Sequence, residues 1–346
     1  MDLKATEPAV APSDWERVHY SKSVAPDLWW RAHFQDATDT VIDFLGGDGI
    51  SLQDKHVADI GCGDGIIDLG IALRAKPERI VGFDILSTDT AQLTRLASER
   101  AGITELPPNL FFATSEERSI PAEDDSFDFV ISWSAFEHIA DPVAVLREIR
   151  RILTHQGVLF IQLWPFHDSA HGSHLVDWFP DGFAQYQYGE EEIVRILRAS
   201  GDQEMAAEMI EIYRTLNRIT VDELHDALTE AGFDVVKLAL DAEAVHLPAE
   251  VRRQPLSRVG ISGVKLLAIP REQEVPPIEV DSPDEPSEMF SHQRDAIPPA
   301  VGAAPGPPAA YQRAVRALRR GLARLDDTLS RYDRPAGNDD ADAVTP

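Results

Sequence analysis

Between residues 55 and 163, short apolar runs of strand length alternate with stretches of helical period, and the links between them are brief. No other feature restricts the fold as much. A chain that repeats strand and helix in this way lays its strands in one mostly parallel sheet and covers both faces with the intervening helices. Strands are expected near residues 56–60, 79–84, 109–113, 127–132 and 157–163, with helices near 65–76, 88–101 and 142–154. The last helix opens on Asp141-Pro142, an N-cap acid followed by a proline whose missing N–H is no loss at the first helical position. After an interruption over 164–219, a helix at 221–231 and strands near 234–240 and 263–268 bring the strands to seven. The expected class is α/β, a doubly wound, mostly parallel sheet with an inserted helical lid, closing near residue 270.

The first strand, Val57-Ala58-Asp59-Ile60, breaks into Gly61-Cys62-Gly63-Asp64-Gly65. Glycine tolerates positive φ and lets main-chain groups approach a ligand, and the following helix aims its N-terminal amides at the same place. Taken alone, such a turn equally suits a connection that binds nothing. A dinucleotide fingerprint would need a third small residue where Ile66 or Asp68 stands, depending on the register. The second strand, however, ends in Asp84, where a carboxylate can accept both hydroxyls of a ribose. Turn and acid together point to an adenosine-type ligand without a pyrophosphate.

These residues resemble the class I S-adenosylmethionine-dependent methyltransferases. Asp59-Ile60-Gly61-Cys62-Gly63-Asp64-Gly65 is similar to that family's D/E-x-G-x-G-x-G loop, and Asp84 falls where its ribose-binding acid lies. Ser115-Glu116-Glu117-Arg118-Ser119-Ile120-Pro121 with Phe127-Asp128-Phe129-Val130 resembles the family's G-D-A-x-x-L-P…F-D-x-V pattern. The likeness continues through Ser132, Glu137-His138-Ile139, Asp141-Pro142 and Leu146-Arg147-Glu148-Ile149 to Gly157-Val158-Leu159. It implies a Rossmann-like fold and S-adenosylmethionine as co-substrate. By the same resemblance, Gly61, Cys62, Gly63, Asp64 and Gly65 pass the methionine part, Asp59 supports its ammonium group, Asp84 grips the ribose and Ile85 packs on adenine. Glu116 and Glu117 would lie at the adenine amine and Ser132 at the end of the fourth strand. Glu116 departs from the usual Asp, and Glu117 from a small residue.

Methyl transfer to a hydroxyl needs a base within reach. His138 follows the fourth strand, and His171 and His174 lie in the histidine-rich start of the insertion, Trp164 to His174. These three are the catalytic candidates, with His167 and Asp168 beside them. A divalent metal polarising the acceptor is an alternative that is not favoured, because the spacing fits no ligand signature. Residues 157–234 also resemble, more weakly, methyltransferases of bacterial surface-glycan pathways, which implies O-methylation of a sugar or glycan intermediate. A small-molecule natural-product methyltransferase and a non-catalytic adenosylmethionine-binding subunit are the other readings.

Outside this body, residues 1–25 read as a loose arm and 26–45 as an amphipathic helix that packs on the core or roofs a pocket. Residues 271–308 are rich in proline and acids, the composition of a linker. In 309–333, Tyr311, Val315, Leu318, Leu322, Leu325, Leu329 and Tyr332 form a heptad seam, which suits a helix-mediated dimer or protein partner better than a membrane surface. A disordered tail, 334–346, follows. The formal charge of −27 argues against nucleic acid as a partner. A single cysteine, Cys62, excludes an internal disulfide and fits a reducing compartment. With no signal-peptide pattern near residue 1, a cytoplasmic location is expected.

Overall fold

The apolar run ahead of the glycines forms β1, His56–Ile60, whose last four residues are buried. Val57 and Ala58 point to opposite faces and both are fully covered, so β1 sits at the centre of a helix-flanked sheet. Six strands follow: β2 Arg79–Asp84, β3 Leu110–Thr114, β4 Phe127–Trp133, β5 Leu153–Leu163, β6 Phe233–Ala242 and β7 Ile261–Pro270. Their order is β3-β2-β1-β4-β5-β7-β6, parallel except for β7, which runs antiparallel to β5 and β6. This is a Rossmann-like, doubly wound seven-stranded sheet. The computed structural model describes residues 26–200, 203–242 and 244–271. The expected arm 1–25, the linker beyond residue 271, the heptad helix 309–333 and the tail 334–346 lie outside the described residues.

The chain winds from β1 outward to β3, then returns to place β4 on the other side of β1. The strand order therefore reverses beside β1, and the crevice at the carboxyl ends of β1 and β4 is where such sheets take ligands. Asp59 stands there in register with Gly82 and Ile131.

One face of the sheet packs Ala58, Val130 and Leu159 against the helices Pro142–Ile152 and Val221–Glu230 through Leu146, Ile149, Leu224 and Leu228. The other packs Val57, Ile80 and Phe160 against Ile66–Arg74 and Thr90–Ala101 through Leu69, Ile71, Leu93 and Ala97. Each fully buried leucine or isoleucine contributes about 1.5–3 kcal/mol relative to exposure.

Two departures from the sequence expectation have local causes. The helix expected over 142–154 ends at Ile152, and Leu153 enters β5 with ψ of 136°, pairing with Phe127 through an irregular register. The leading helix is not uniform: Pro26–Arg31 passes through a π-helical turn, Ala32–Ala37, into Thr38–Gly46. Within it the Thr38 hydroxyl donates to the His33 carbonyl at 3.1 Å, and Gly70 lies so close that a Cβ there would strike Thr38 Oγ1. The helical part of the insertion is two helices, Glu190–Arg198 and Gln203–Thr215, which bury Ile193, Leu197, Met209 and Ile210 with Leu175 in a small core of their own.

Candidate active site

Gly61, Gly63 and Gly65 have φ of 79°, 54° and 73°, the left-handed region that glycine alone enters without cost. Contact reinforces the requirement, since a Cβ at Gly61 would strike the Ala135 side chain and one at Gly65 the Phe112 ring. The second strand fastens the turn. The amides of Gly61 and Cys62 donate to the Phe83 carbonyl at 2.8 and 3.2 Å, and that of Gly63 donates to Asp84 Oδ2 at 3.0 Å. Asp84 Oδ1 accepts from the Leu86 amide at 2.9 Å. From the leading helix, Trp29 Nε1 donates to Asp64 Oδ2 at 2.9 Å, while Trp30 is buried in the core. That helix thus both packs and roofs.

A cavity of about 320 Å³ opens beside the turn, a size typical of small-molecule sites. Asp59, Gly61, Cys62, Gly63 and Asp64 line one end with Trp29 and His33. Trp133, Ser134, Glu137, His138, Trp164 and His174 line the wall after β4 and β5, and Met205, Glu208, Met209 and Ile212 reach in from the second lid helix.

Glu137 and His138 occupy a 3-10 turn, Phe136–His138, which the end of the insertion clamps in place. The Asn217 amide donates to the Glu137 carbonyl at 2.8 Å, and its side-chain nitrogen donates to the carbonyls of Phe136 and, at 2.8 Å, Ile139. His174, with φ of 60°, brings its ring within 5.3 Å of that of His138. Glu137, His138 and His174 offer nitrogen and oxygen atoms that all lie within 4.8 Å of one another. Neither carboxyl oxygen of Glu137 meets a hydrogen-bond partner among the described residues. Burial pushes the Glu137 carboxyl up to about 8. Burial holds His138 below the usual imidazole range and His174 well below it, with His138 and His167 adding to the effect on His174. At neutral pH the cluster therefore holds a carboxylic acid and two neutral imidazoles. It can accept a proton from a bound hydroxyl, or, once the acid ionises, present one carboxylate and two imidazoles to a divalent cation.

Of the cofactor residues expected from sequence, Asp59, Gly61, Cys62, Gly63 and Asp64 meet at one end of the cavity, and Gly65 and Asp84 hold the turn that shapes it. Ile85 is 57% exposed beyond Asp84. Glu116 and Glu117 are exposed on a turn closed by a Glu116–Ser119 bridge and do not line the cavity. Ser132 is fully buried, its hydroxyl donating to the Ile60 carbonyl at 2.8 Å, which ties β4 to β1. Burial, followed by the Asp68 and Asp59 charges, drives the Cys62 thiol far above its usual range, so it is no nucleophile.

The histidine-rich stretch divides. His174 reaches the cavity, His171 does not line it, and His167 pairs with Asp168 at 3.3 Å, where Arg258 also holds Asp168 at 2.8 Å. Sequence reasoning missed Glu137 as a site group, along with Trp29, His33 and the lid methionines. The Glu137-His138 motif was visible, but nothing local showed that its acid points inward.

The reversed strand order, the glycine turn fastened by an acid-tipped second strand and the cavity beside it define a domain of the class I methyltransferase kind. A methyltransferase-domain family profile matches residues 29–238, and the chain belongs to that S-adenosylmethionine-dependent family. The ubiquinone biosynthesis O-methyltransferase of Cereibacter sphaeroides is 26% identical over 191 residues, covering 54% of this chain and 63% of that protein. The protein of the same name from Paracidovorax citrulli is 31% identical over 114 residues, 33% of this chain and 45% of that one. The chain thus spans less than two thirds of the length of these relatives. A solved S-adenosylmethionine-dependent methyltransferase from Mesorhizobium loti aligns with TM-score 0.42 and 16% identity, covering 65% of this chain and 95% of the other. Among the described residues, no helix is long and apolar enough to cross a membrane.

Proposed function

We propose that the protein transfers a methyl group from S-adenosylmethionine to a hydroxyl oxygen of a small molecule. The observation that carries this reading is one cavity shared by the glycine turn and the Glu137–His138–His174 cluster. The donor end fits the co-substrate: the turn exposes main chain, Asp59 lines the cavity beside it as the acid for a cationic amine, and exposed Ile85 offers apolar surface for a base. Bound S-adenosylmethionine supplies a methyl carbon already activated by its sulfonium. The protein has then to hold the acceptor oxygen in line with it, a matter of positioning worth several kcal/mol. A neutral imidazole of His138 or His174 takes the hydroxyl proton, and burial keeps both in the required form.

The acceptor end favours a flat, apolar body over a sugar. Trp133, Trp164, Met205, Met209 and Ile212 present rings, thioethers and an aliphatic branch on which a flat body can lie, and Ser134, Glu137, His138, His174 and Glu208 are the polar groups set among them. The relatives named as O-methyltransferases of ubiquinone biosynthesis agree with oxygen as the accepting atom. Calorimetry with S-adenosylmethionine, then mass spectrometry of a panel of phenols and sugars incubated with enzyme and donor, tests this. A phenol gaining one methyl group is expected. Absence of donor binding refutes the reading, and a sugar methylated in preference refutes the acceptor class.

A second reading follows from the same cluster, that it holds a divalent cation which lowers the pKa of the acceptor hydroxyl. Titration with Co²⁺ decides it: a d–d absorption that His174→Ala removes supports the metal, and a spectrum of free Co²⁺ rejects it.

A further inference from the structure

The helix Gln203–Thr215 turns one stripe towards the cavity, in which Met205, Met209 and Ile212 follow the helical period and Glu208 falls on the same side, one turn after Met205. A carboxylate is out of place among these apolar neighbours. Met209 is 4% exposed, whereas Glu208 is exposed, so its carboxylate stands where the cavity meets solvent. The helix has one basic residue, Arg214, and Glu190 at 2.9 Å and Glu211 at 3.4 Å take it. Among the described residues Glu208 enters no ion pair of its own.

The other carboxyls of the cavity have work already. Asp64 accepts from Trp29 Nε1 at 2.9 Å and from the Ile66 amide at 3.3 Å, Asp59 lies beside the glycine turn at the donor end, and burial keeps Glu137 protonated. Among the described residues no lysine or arginine lines the cavity. A carboxylate, phosphate or sulfate on the acceptor would find no cation there to offset its desolvation, and Glu208 would face it as a like charge. A protonated amine meets the reverse. Glu208 supplies its counter-charge, and the rings of Trp133 and Trp164 on the same wall attract a cation.

We propose that the acceptor is a phenol bearing a protonated amine, and that Glu208 binds this amine and so selects cationic acceptors over neutral and anionic ones. This rests on the acceptor reading above. The hydroxyl is handled by His138 and His174 and the amine by the lid helix, so reaction and selection belong to different elements. The bound donor carries a sulfonium, and Glu208 offsets the repulsion between that charge and a second cation in the same cavity.

Tyramine, para-ethylphenol and para-hydroxyphenylpropionate share a ring and a hydroxyl and differ in the charge of the side arm. Calorimetry of each on the full-length protein, with and without S-adenosylhomocysteine, reads the selection without turnover. Tyramine should bind tightest, by about tenfold over the propionate, with para-ethylphenol between them. Glu208→Gln should bring tyramine to the level of para-ethylphenol, and Glu208→Lys should reverse the order. Should the lysine variant fail to fold, the glutamine variant decides alone. Tyramine binding no better than para-ethylphenol, an advantage that survives Glu208→Gln, or binding by none of the three overturns the proposal. Mass spectrometry after incubation with S-adenosylmethionine separates it from the reading beneath it. Tyramine that binds through Glu208 and gains no methyl group refutes methyl transfer and upholds the charge selection. Para-ethylphenol methylated as well as tyramine upholds methyl transfer and overturns the selection.

Discussion

Replacing Glu137 by glutamine, with a chelator present, should change stability in a way that depends on pH. The buried carboxyl keeps its proton in the folded state up to about 8, against 4.5 for an ordinary glutamate. Below the ordinary value both states carry the proton and burial adds no titration cost. As pH rises past it the unfolded chain ionises while the folded chain does not, so the folded state binds more protons and stability falls by about 1.36 kcal/mol per pH unit. Between about pH 5 and about pH 8 the loss amounts to about 4 kcal/mol at most. Glutamine has the same shape and does not titrate. Glu137→Gln should therefore match the wild type in acid and exceed it in melting temperature by something on the order of 10 °C at the alkaline end, for a domain of this size. Thermal melts across the pH range measure this. A difference that stays constant would mean that Glu137 is ionised in the fold against a charged histidine, and the assignment of neutral imidazoles to the site would fail.

Five further outcomes are expected. Ser132→Ala removes a buried donor from the Ile60 carbonyl and should cost about 1–3 kcal/mol in a denaturant titration, with donor affinity per folded molecule unchanged. Asp84→Ala releases the amides of Gly63 and Leu86 and should weaken donor binding by roughly tenfold or more in calorimetry, a loss of at least about 1.4 kcal/mol. Loss of a general base costs about 10²–10⁴ in rate, so turnover should collapse in His138→Ala or His174→Ala, with donor affinity retained. Because burial lowers both imidazoles, the wild-type rate should stay level until pH falls below about 6.5, the ordinary histidine value, and a decline beginning above it contradicts the neutral assignment. Asn217→Ala frees the carbonyls of Phe136 and Ile139 and should lower kcat while leaving donor affinity in place, as measured by steady-state kinetics beside calorimetry.

The glycine turn proposed to take the donor was legible as a structure because its determinants are contiguous. A strand, three glycines and an acid at the next strand's end lie within 59–84, and each part follows from local rules: apolar runs make buried strands, and positive φ needs glycine. The sheet was legible for the same reason, down to the two late strands near 234–240 and 263–268, although nothing in their apolar pattern told that β7 runs antiparallel to its neighbours. What escaped were handovers decided by packing, such as Leu153 leaving the helix for β5 and the π-helical turn, where the His33 carbonyl accepts from the Thr38 hydroxyl. Ser132 shows the limit of a motif: it stands where the resemblance placed it, yet its hydroxyl serves β1 instead of facing the cavity.

The acceptor half is built differently. Glu137 and His138 come from the turn after β4, His174 from the start of the insertion, Asn217 from its end, and the methionines from a helix between. No period or spacing links these segments, and what joins them is the satellite core of Leu175, Ile193, Leu197, Met209 and Ile210. That core forms only once both lid helices pack, so the same burial that orders the lid strips water from Glu137 and His174 and shifts their titration. Lid packing and base strength are thus one variable. Loosening the satellite core at Ile193 or Leu197 would return both histidines towards their ordinary range before it touched the donor turn, which is fastened to β2.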